Sequence, residues 1–197
     1  MDRLEIFPLE NVSRMFSFSC GEESMDEYIR NGLQQSIEAH FCKAFEVKCK
    51  GEIVAFFALN FDSLELDCQE AYDILHRKDN PIEIALEYED VFKNKHSYPA
   101  IEISFLAVRN DARNTGIGSA VLSEIIRLGK AQPIAGCQFT TVMAYYRKGY
   151  SAAGFYKKKG FTKIKGGGKE TIRMFLPLYV WKEIQDVQYL RTTSSPA

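Results

Sequence analysis

The chain has 197 residues, 46% of them apolar, and a formal net charge of −1. That length is close to one ordinary domain, with enough apolar material to bury a core without disulfides or a structural metal. No apolar run nears the roughly 20 residues of a bilayer span, and charge appears at once in Met1-Asp2-Arg3-Leu4-Glu5, so the chain reads as soluble and cytoplasmic. The cysteines Cys20, Cys42, Cys49, Cys68 and Cys137 form no C-x-x-C pair and are odd in number, which argues against a disulfide framework or a zinc site.

The near-neutral total hides a division. Residues 1–108 hold 10 Lys/Arg against 21 Asp/Glu, whereas residues 109–173 hold 13 against 3. The cations of the basic segment, among them Arg109, Arg113, Lys157, Lys158, Lys159, Lys163, Lys165 and Lys169, suit a polyanionic ligand, either a phosphate-rich cofactor or nucleic acid. A solvated lysine-rich face is the other reading.

In chain order, Arg3 to Pro8 reads as a short strand. Ser24 to His40 then places Met25, Tyr28, Ile29, Leu33 and Ile37 at helical spacing, with Ser24 as the cap. Ala44–Lys50 and Ile53–Leu66 are rich in β-branched and aromatic residues and are joined by Lys50-Gly51-Glu52, which predicts an antiparallel hairpin. Residues 67–99 are acidic and irregular and read as an insertion, with short helical stretches around Ala71–Arg77 and Ile84–Lys93. Ala100–Val108 is a mostly apolar run typical of a central strand. A helix over Ile117–Lys130 puts Ile117, Val121, Leu122, Ile125, Ile126 and Leu128 on one broad face. Gln138–Tyr145 reads as a strand and Ser151–Lys159 as a short helix ended by Gly160. Phe161–Lys165 and Thr171–Leu178 form a closing hairpin around Gly166-Gly167-Gly168. The tail is weakly helical from Tyr179 to Leu190, and residues 191–197 fray. A single domain over residues 1–190 is the expectation.

The segment Arg113-Asn114-Thr115-Gly116-Ile117-Gly118-Ser119 lies where a strand ends and a helix begins. Backbone N–H groups without intrahelical partners converge there and attract phosphate. Gly116 and Gly118 let the backbone take unusual dihedrals and approach a ligand closely, and Arg113 can add a charge-assisted contact. Alone, such a glycine pattern also fits an ordinary turn.

Together with Phe105-Leu106-Ala107-Val108 upstream and Gly154-Phe155-Tyr156-Lys157-Lys158-Lys159-Gly160-Phe161 downstream, this turn resembles the GNAT superfamily of N-acetyltransferases. The resemblance implies an α+β fold in three layers, with a mixed, mostly antiparallel twisted sheet flanked by helices. It implies acetyl-coenzyme A as co-substrate and no metal. The family signature, (Arg or Gln)-x-x-Gly-x-(Gly or Ala), falls on Arg113, Gly116 and Gly118 and would cradle the coenzyme A pyrophosphate, with Asn114, Thr115, Ile117 and Ser119 in the same turn. Leu106, Ala107 and Val108 would contact the pantetheine arm through their main chain. A second family signature, Asn-x-x-Ala-x-x-x-Tyr, is matched by Ala152 and Tyr156, but Gly149 stands at the Asn position.

The resemblance makes Tyr156 the general acid that protonates the departing thiolate. Glu102, at the position of a carboxylate in histone-acetylating members, becomes a candidate base; it equally suits pairing with a neighbouring strand's cation or facing solvent. A looser similarity to the toxin-type branch that acetylates aminoacyl-tRNA rests on Phe18-Ser19-Cys20-Gly21 with Met25-Asp26-Glu27-Tyr28-Ile29, and on Tyr98-Pro99-Ala100-Ile101-Glu102-Ile103. The acceptor is therefore an amine, with aminoacyl-tRNA, a protein amine and a small amine all open; a homodimer is compatible with the sequence. The alternative is a non-catalytic acyl-CoA-binding regulatory module, which Gly149 favours and Tyr156 opposes.

Overall fold

The structure is a computed structural model in which residues 3–66, 95–147, 150–178 and 190–192 are described. Their elements in chain order are β1 (Leu4–Pro8), α1 (Glu23–Asn31), α2 (Leu33–Glu38), β2 (Lys43–Cys49), β3 (Glu52–Glu65), β4 (Ser97–Val108), α3 (Ile117–Ala131), β5 (Phe139–Arg147), β6 (Tyr150–Ser151), α4 (Ala153–Lys158), β7 (Thr162–Lys163), β8 (Thr171–Pro177) and β9 (Leu190–Thr192). This is an α+β fold, a mixed sheet flanked by helices. The expected insertion and its helical stretches lie outside the described residues, apart from residues 95–99, of which Ser97–Pro99 begin β4.

The chain divides into two compact units. The first comprises Met1–Asn60, Glu102–Leu128 and Glu183–Ala197, and the second Phe61–Ile101 and Gly129–Lys182. In the first unit the strand order is β4-β3-β2-β1-β9. The β2–β3 hairpin turns on Lys50 and Gly51, whose φ values of 52° and 83° are the paired positive dihedrals of the turn type that matches strand twist. Val54–Ala58 are buried without interruption, so this stretch of β3 is covered on both faces. On one side Leu9, Val12, Met15, Phe18, Ile29 and Leu33 pack with Phe56, Ala58 and Ala107, and Phe18 meets Phe56 edge to face at 6.0 Å. Truncating Phe56 to alanine removes the centre of that cluster, at a cost of about 3–5 kcal/mol.

The sequence predicts one helix capped by Ser24; the structure has two, and Ser24 is not the cap. The N-cap of α1 is Glu22, with extended backbone and no side-chain capping bond, while the Ser24 hydroxyl turns to Glu22 Oε1 at 3.3 Å. The helix divides at Gly32, where an added Cβ would lie 2.8 Å from Cδ2 of Tyr28. The Tyr28 ring occupies that space, stacks on Phe105 with centroids 4.0 Å apart and donates its hydroxyl to Ser36 Oγ at 2.9 Å. Such a stack contributes about 0.5–1.5 kcal/mol beyond area burial.

The tail also departs from expectation. Leu190–Thr192 form β9, parallel to Leu4–Ile6 of β1, where the sequence reads as the end of a weak helix followed by frayed residues. The rest of that segment lies outside the described residues.

In the second unit the order is β7-β8-β5-β4-β3, with β6 on β5. β5 and β8 pair antiparallel from Phe139 opposite Pro177 to Tyr145 opposite Thr171. Tyr98, Phe139 and Phe175 form successive edge-to-face contacts at 5.7 and 5.9 Å in a core with Leu64, Ala100 and Ile164. A polar group joins its strands: Asp62 Oδ2 accepts from the Thr141 hydroxyl at 2.5 Å and from Arg173 Nη2 at 3.0 Å.

Candidate active site

In the first unit, β4 ends at Val108 and the chain is pinned at once: the Arg109 N–H donates to Val54 O at 2.8 Å and the Asn110 N–H to Ser19 O at 3.0 Å. After a short 3-10 turn over Asn110–Ala112, Arg113 is extended (φ −65°, ψ 155°), Asn114 adopts φ 62° and Gly116 φ 92°. Asn is among the few side chains that tolerate this left-handed region. Thr115 Oγ1 donates to Ala112 O at 2.7 Å and tightens the turn. α3 begins at Ile117, and the Ala120 N–H donates to Gly116 O at 3.1 Å, so the N–H groups of Ile117, Gly118 and Ser119 precede the first intrahelical bond. Such N–H groups, at the positive end of the helix dipole, have the geometry that suits an anion.

A loop of the N-terminal segment braces this turn. The Asp26 carboxylate, 6% exposed, accepts from the Cys20 N–H through Oδ1 at 2.8 Å and from the Ser19 hydroxyl through Oδ2 at 2.6 Å. The Arg113 guanidinium donates to the Cys20 carbonyl. Burial alone would raise the Asp26 carboxyl, but the hydrogen bonds from Ser19, Cys20 and Gly21 outweigh it and hold the group below the ordinary aspartate value.

Glu102, Ser104, Leu106 and Val108 alternate along one face of β4, with Ile103, Phe105 and Ala107 on the other. Glu102 is half-buried and accepts from Asn60 Nδ2 at 3.1 Å, while the Ser104 hydroxyl donates to Asn60 Oδ1 at 2.5 Å. The neighbouring strand thus meets Glu102 with an amide, where the sequence suggests a cation or solvent. Arg109 engages Asp111 at 2.7 Å and Glu52 at 3.1 Å, so its charge is already met by neighbouring carboxylates.

In the second unit, α4 carries Tyr156, which is 5% exposed. Its ring packs edge to face against Phe155 and Phe161, both at 5.2 Å. Gly160, with φ 91°, ends the turn after α4, as the sequence predicts. Lys157, Lys158, Lys159, Lys163, Lys165 and Lys169 are exposed.

Residues 74–163 match the family model described as an acetyltransferase (GNAT) domain. Over those residues the chain is similar to GNAT acetyltransferases. No curated protein matches the sequence. The AtaTR toxin–antitoxin pair bound with acetyl-CoA is 19% identical, covering 91% of this chain and 96% of the other at a TM-score of 0.65. AtaT complexed with acetyl-methionyl-tRNAfMet is 17% identical, covering 89% and 95% at 0.64. A tyrosine-to-phenylalanine mutant of AtaT bound to the C-terminus of the antitoxin AtaR and acetyl-CoA is 17% identical, covering 90% and 95% at 0.62. At these identities the likeness is one of fold.

The residues singled out in the sequence fall into two groups. Leu106–Val108, Arg113–Ser119 and Glu102 stand together in the first unit, and Tyr156 stands in the second. Gly149 lies outside the described residues. Sequence reasoning missed the roles of Asp26 and Asn60. Phe18-Ser19-Cys20-Gly21 and Asp26 are visible as a motif, but a six-residue separation between a loop N–H and a helix carboxylate follows neither period 2 nor 3.6. No helix among the described residues is long and apolar enough to cross a membrane.

Proposed function

We propose that this chain is a GNAT acetyltransferase that transfers an acetyl group from acetyl-coenzyme A to the amine of an aminoacyl-tRNA. The observation that carries the cofactor half of this reading is the run of N–H groups at Ile117, Gly118 and Ser119, presented by positive φ at Asn114 and Gly116. These donors suit a pyrophosphate, and Arg113 beside them supplies the charge. The aminoacyl-tRNA half is supported by the likeness to AtaT complexed with acetyl-methionyl-tRNAfMet and by the excess of cations over residues 109–173.

In the reaction the neutral amine nitrogen attacks the thioester carbonyl carbon. A C–N bond forms, the C–S bond breaks, the nitrogen loses a proton and the thiolate gains one. We assign the second proton to the Tyr156 hydroxyl and the first to Glu102, acting through water. Main-chain groups of Leu106, Ala107 and Val108 would hold the pantetheine arm. Glu102→Gln tests the base alone, because the amide oxygen still accepts from Asn60; kcat should fall most at low pH, where the amine is protonated. An unchanged pH profile assigns Glu102 to the Asn60 network only.

The deciding experiment incubates the purified protein and acetyl-coenzyme A with aminoacyl-tRNA, peptides and small amines in parallel and follows thiol release. Aminoacyl-tRNA should be acetylated fastest. Preference for a small amine overturns the acceptor, and coenzyme A binding without turnover on any acceptor favours the regulatory module.

A further inference from the structure

A buried carboxylate is costly unless its lone pairs are met, and Asp26 has both oxygens engaged on one short loop. The Ser19 hydroxyl receives the Gly21 N–H at 3.2 Å, so Ser19, Cys20 and Gly21 are gathered around one side chain of α1. Each member of this loop then meets the turn between β4 and α3. The Ser19 carbonyl accepts from the Asn110 N–H at 3.0 Å, the Cys20 carbonyl accepts from Arg113, and a Cβ on Gly21, which has φ 75°, would sit 3.2 Å from the Asn110 side chain. The Arg113 guanidinium therefore has one donor fixed on a carbonyl whose position depends on Asp26.

We propose that Asp26 is a positioning residue of the coenzyme A cradle: by clasping Ser19 and Cys20 it aims the Cys20 carbonyl at Arg113 and presets the guanidinium for the pyrophosphate. The inference rests on the cradle reading above. Its physical basis is preorganisation. A free arginine loses substantial rotamer freedom when it is fixed on an anion, whereas one already oriented by a carbonyl loses less and keeps its remaining N–H donors for the ligand. Loss of the clasp should weaken coenzyme A binding about 5- to 10-fold, the scale of ordering one such side chain.

The test measures coenzyme A affinity by calorimetry on the full chain, for Asp26→Ala alone and in an Arg113→Ala background. If Asp26 acts through Arg113, affinity falls about 5- to 10-fold in the first case and changes less than about 2-fold in the second. Asp26→Asn should recover the affinity, since its oxygen can accept from the Cys20 N–H and its amide can donate to the Ser19 hydroxyl. An equal loss in both backgrounds overturns the proposal, because general destabilisation would act regardless of Arg113. An unchanged affinity in a folded Asp26→Ala protein also overturns it. Should Asp26→Ala fail to fold, Ser19→Ala, which removes one hydroxyl, is measured in the same two backgrounds against the same criteria. An unmutated protein that binds no coenzyme A sinks the cradle reading itself and this proposal with it. Binding that is merely indifferent to Asp26 leaves the cradle standing.

Discussion

The turn from Arg109 to Ser119 and the hairpin around Gly166–Gly168 are both glycine-containing, both basic and both proposed to meet phosphate, yet they are built differently. The first is held by main-chain bonds to Val54 and Ser19 and by Arg113 on the Cys20 carbonyl. The second carries Lys163, Lys165 and Lys169, all exposed, on a glycine loop. A Cβ on Gly167 would lie 2.5 Å from Thr171 O, and the Gly168 N–H donates to Thr171 Oγ1 at 2.8 Å. One region offers fixed donors at defined places; the other offers charge on flexible stems. Fixed donors select a ligand by shape, whereas exposed lysines bind by a screened, sequence-independent attraction.

The sharpest way to break this contrast is Gly118→Trp, which places a large side chain in the first turn of α3. Coenzyme A binding should fall by about 100-fold or more while the protein stays folded, as calorimetry and circular dichroism would record. Unchanged affinity removes the cradle. Next in size is Tyr156→Phe, which keeps the packing on Phe155 and Phe161 and removes only the hydroxyl. Turnover should drop by roughly 10²-fold with little change in coenzyme A affinity, and normal turnover leaves Tyr156 as a packing residue.

A smaller effect belongs to the hairpin. Changing Lys163, Lys165 and Lys169 together to Glu should lower aminoacyl-tRNA affinity and reduce the slope of log affinity against log salt by about 0.7–0.9 for each phosphate that no longer meets a cation. Coenzyme A binding should be untouched. Equal tRNA binding by the triple variant moves the acceptor elsewhere and leaves these lysines as a solvated face.

The smallest effect is a pH dependence. Asp26 is held below the ordinary aspartate value, so its contribution to stability is full above that value and is lost as pH falls through the folded-state value. Denaturant melts should show the unmutated protein more stable than Asp26→Asn at pH 7, with the gap closing at low pH. A gap that is constant with pH would mean that the Asp26 charge does no more than an amide.

Local rules carried most of the fold. Lys50-Gly51 announces a tight turn because few residues accept positive φ, and Arg113 to Gly118 is legible as a strand-to-helix turn because Asn and Gly are the residues that take positive φ there. The failures have the opposite character. Helical spacing runs straight through Gly32, and only the Tyr28 ring against Phe105 explains the break. β9 is three residues long, and its partner β1 lies at the other end of the chain, so neither length nor alternation marks it. The link from Asp26 through Cys20 to Arg113 joins residues 93 positions apart at its second step, which no local pattern encodes.

One member of the clasp makes its opening measurable. The Cys20 thiol is 2% exposed; burial first, then its hydrogen bond with Asp26, pushes it up to about 11. At neutral pH the group is then almost entirely the unreactive thiol, and that sulfur is shielded from reagents. Alkylation of Cys20 should therefore require local opening, and its rate would report the free energy of that opening. Saturating the cradle with coenzyme A should slow the reaction in proportion to how strongly ligand and clasp stabilise one another. The native cysteine thus serves as a built-in label for a motion of a few residues.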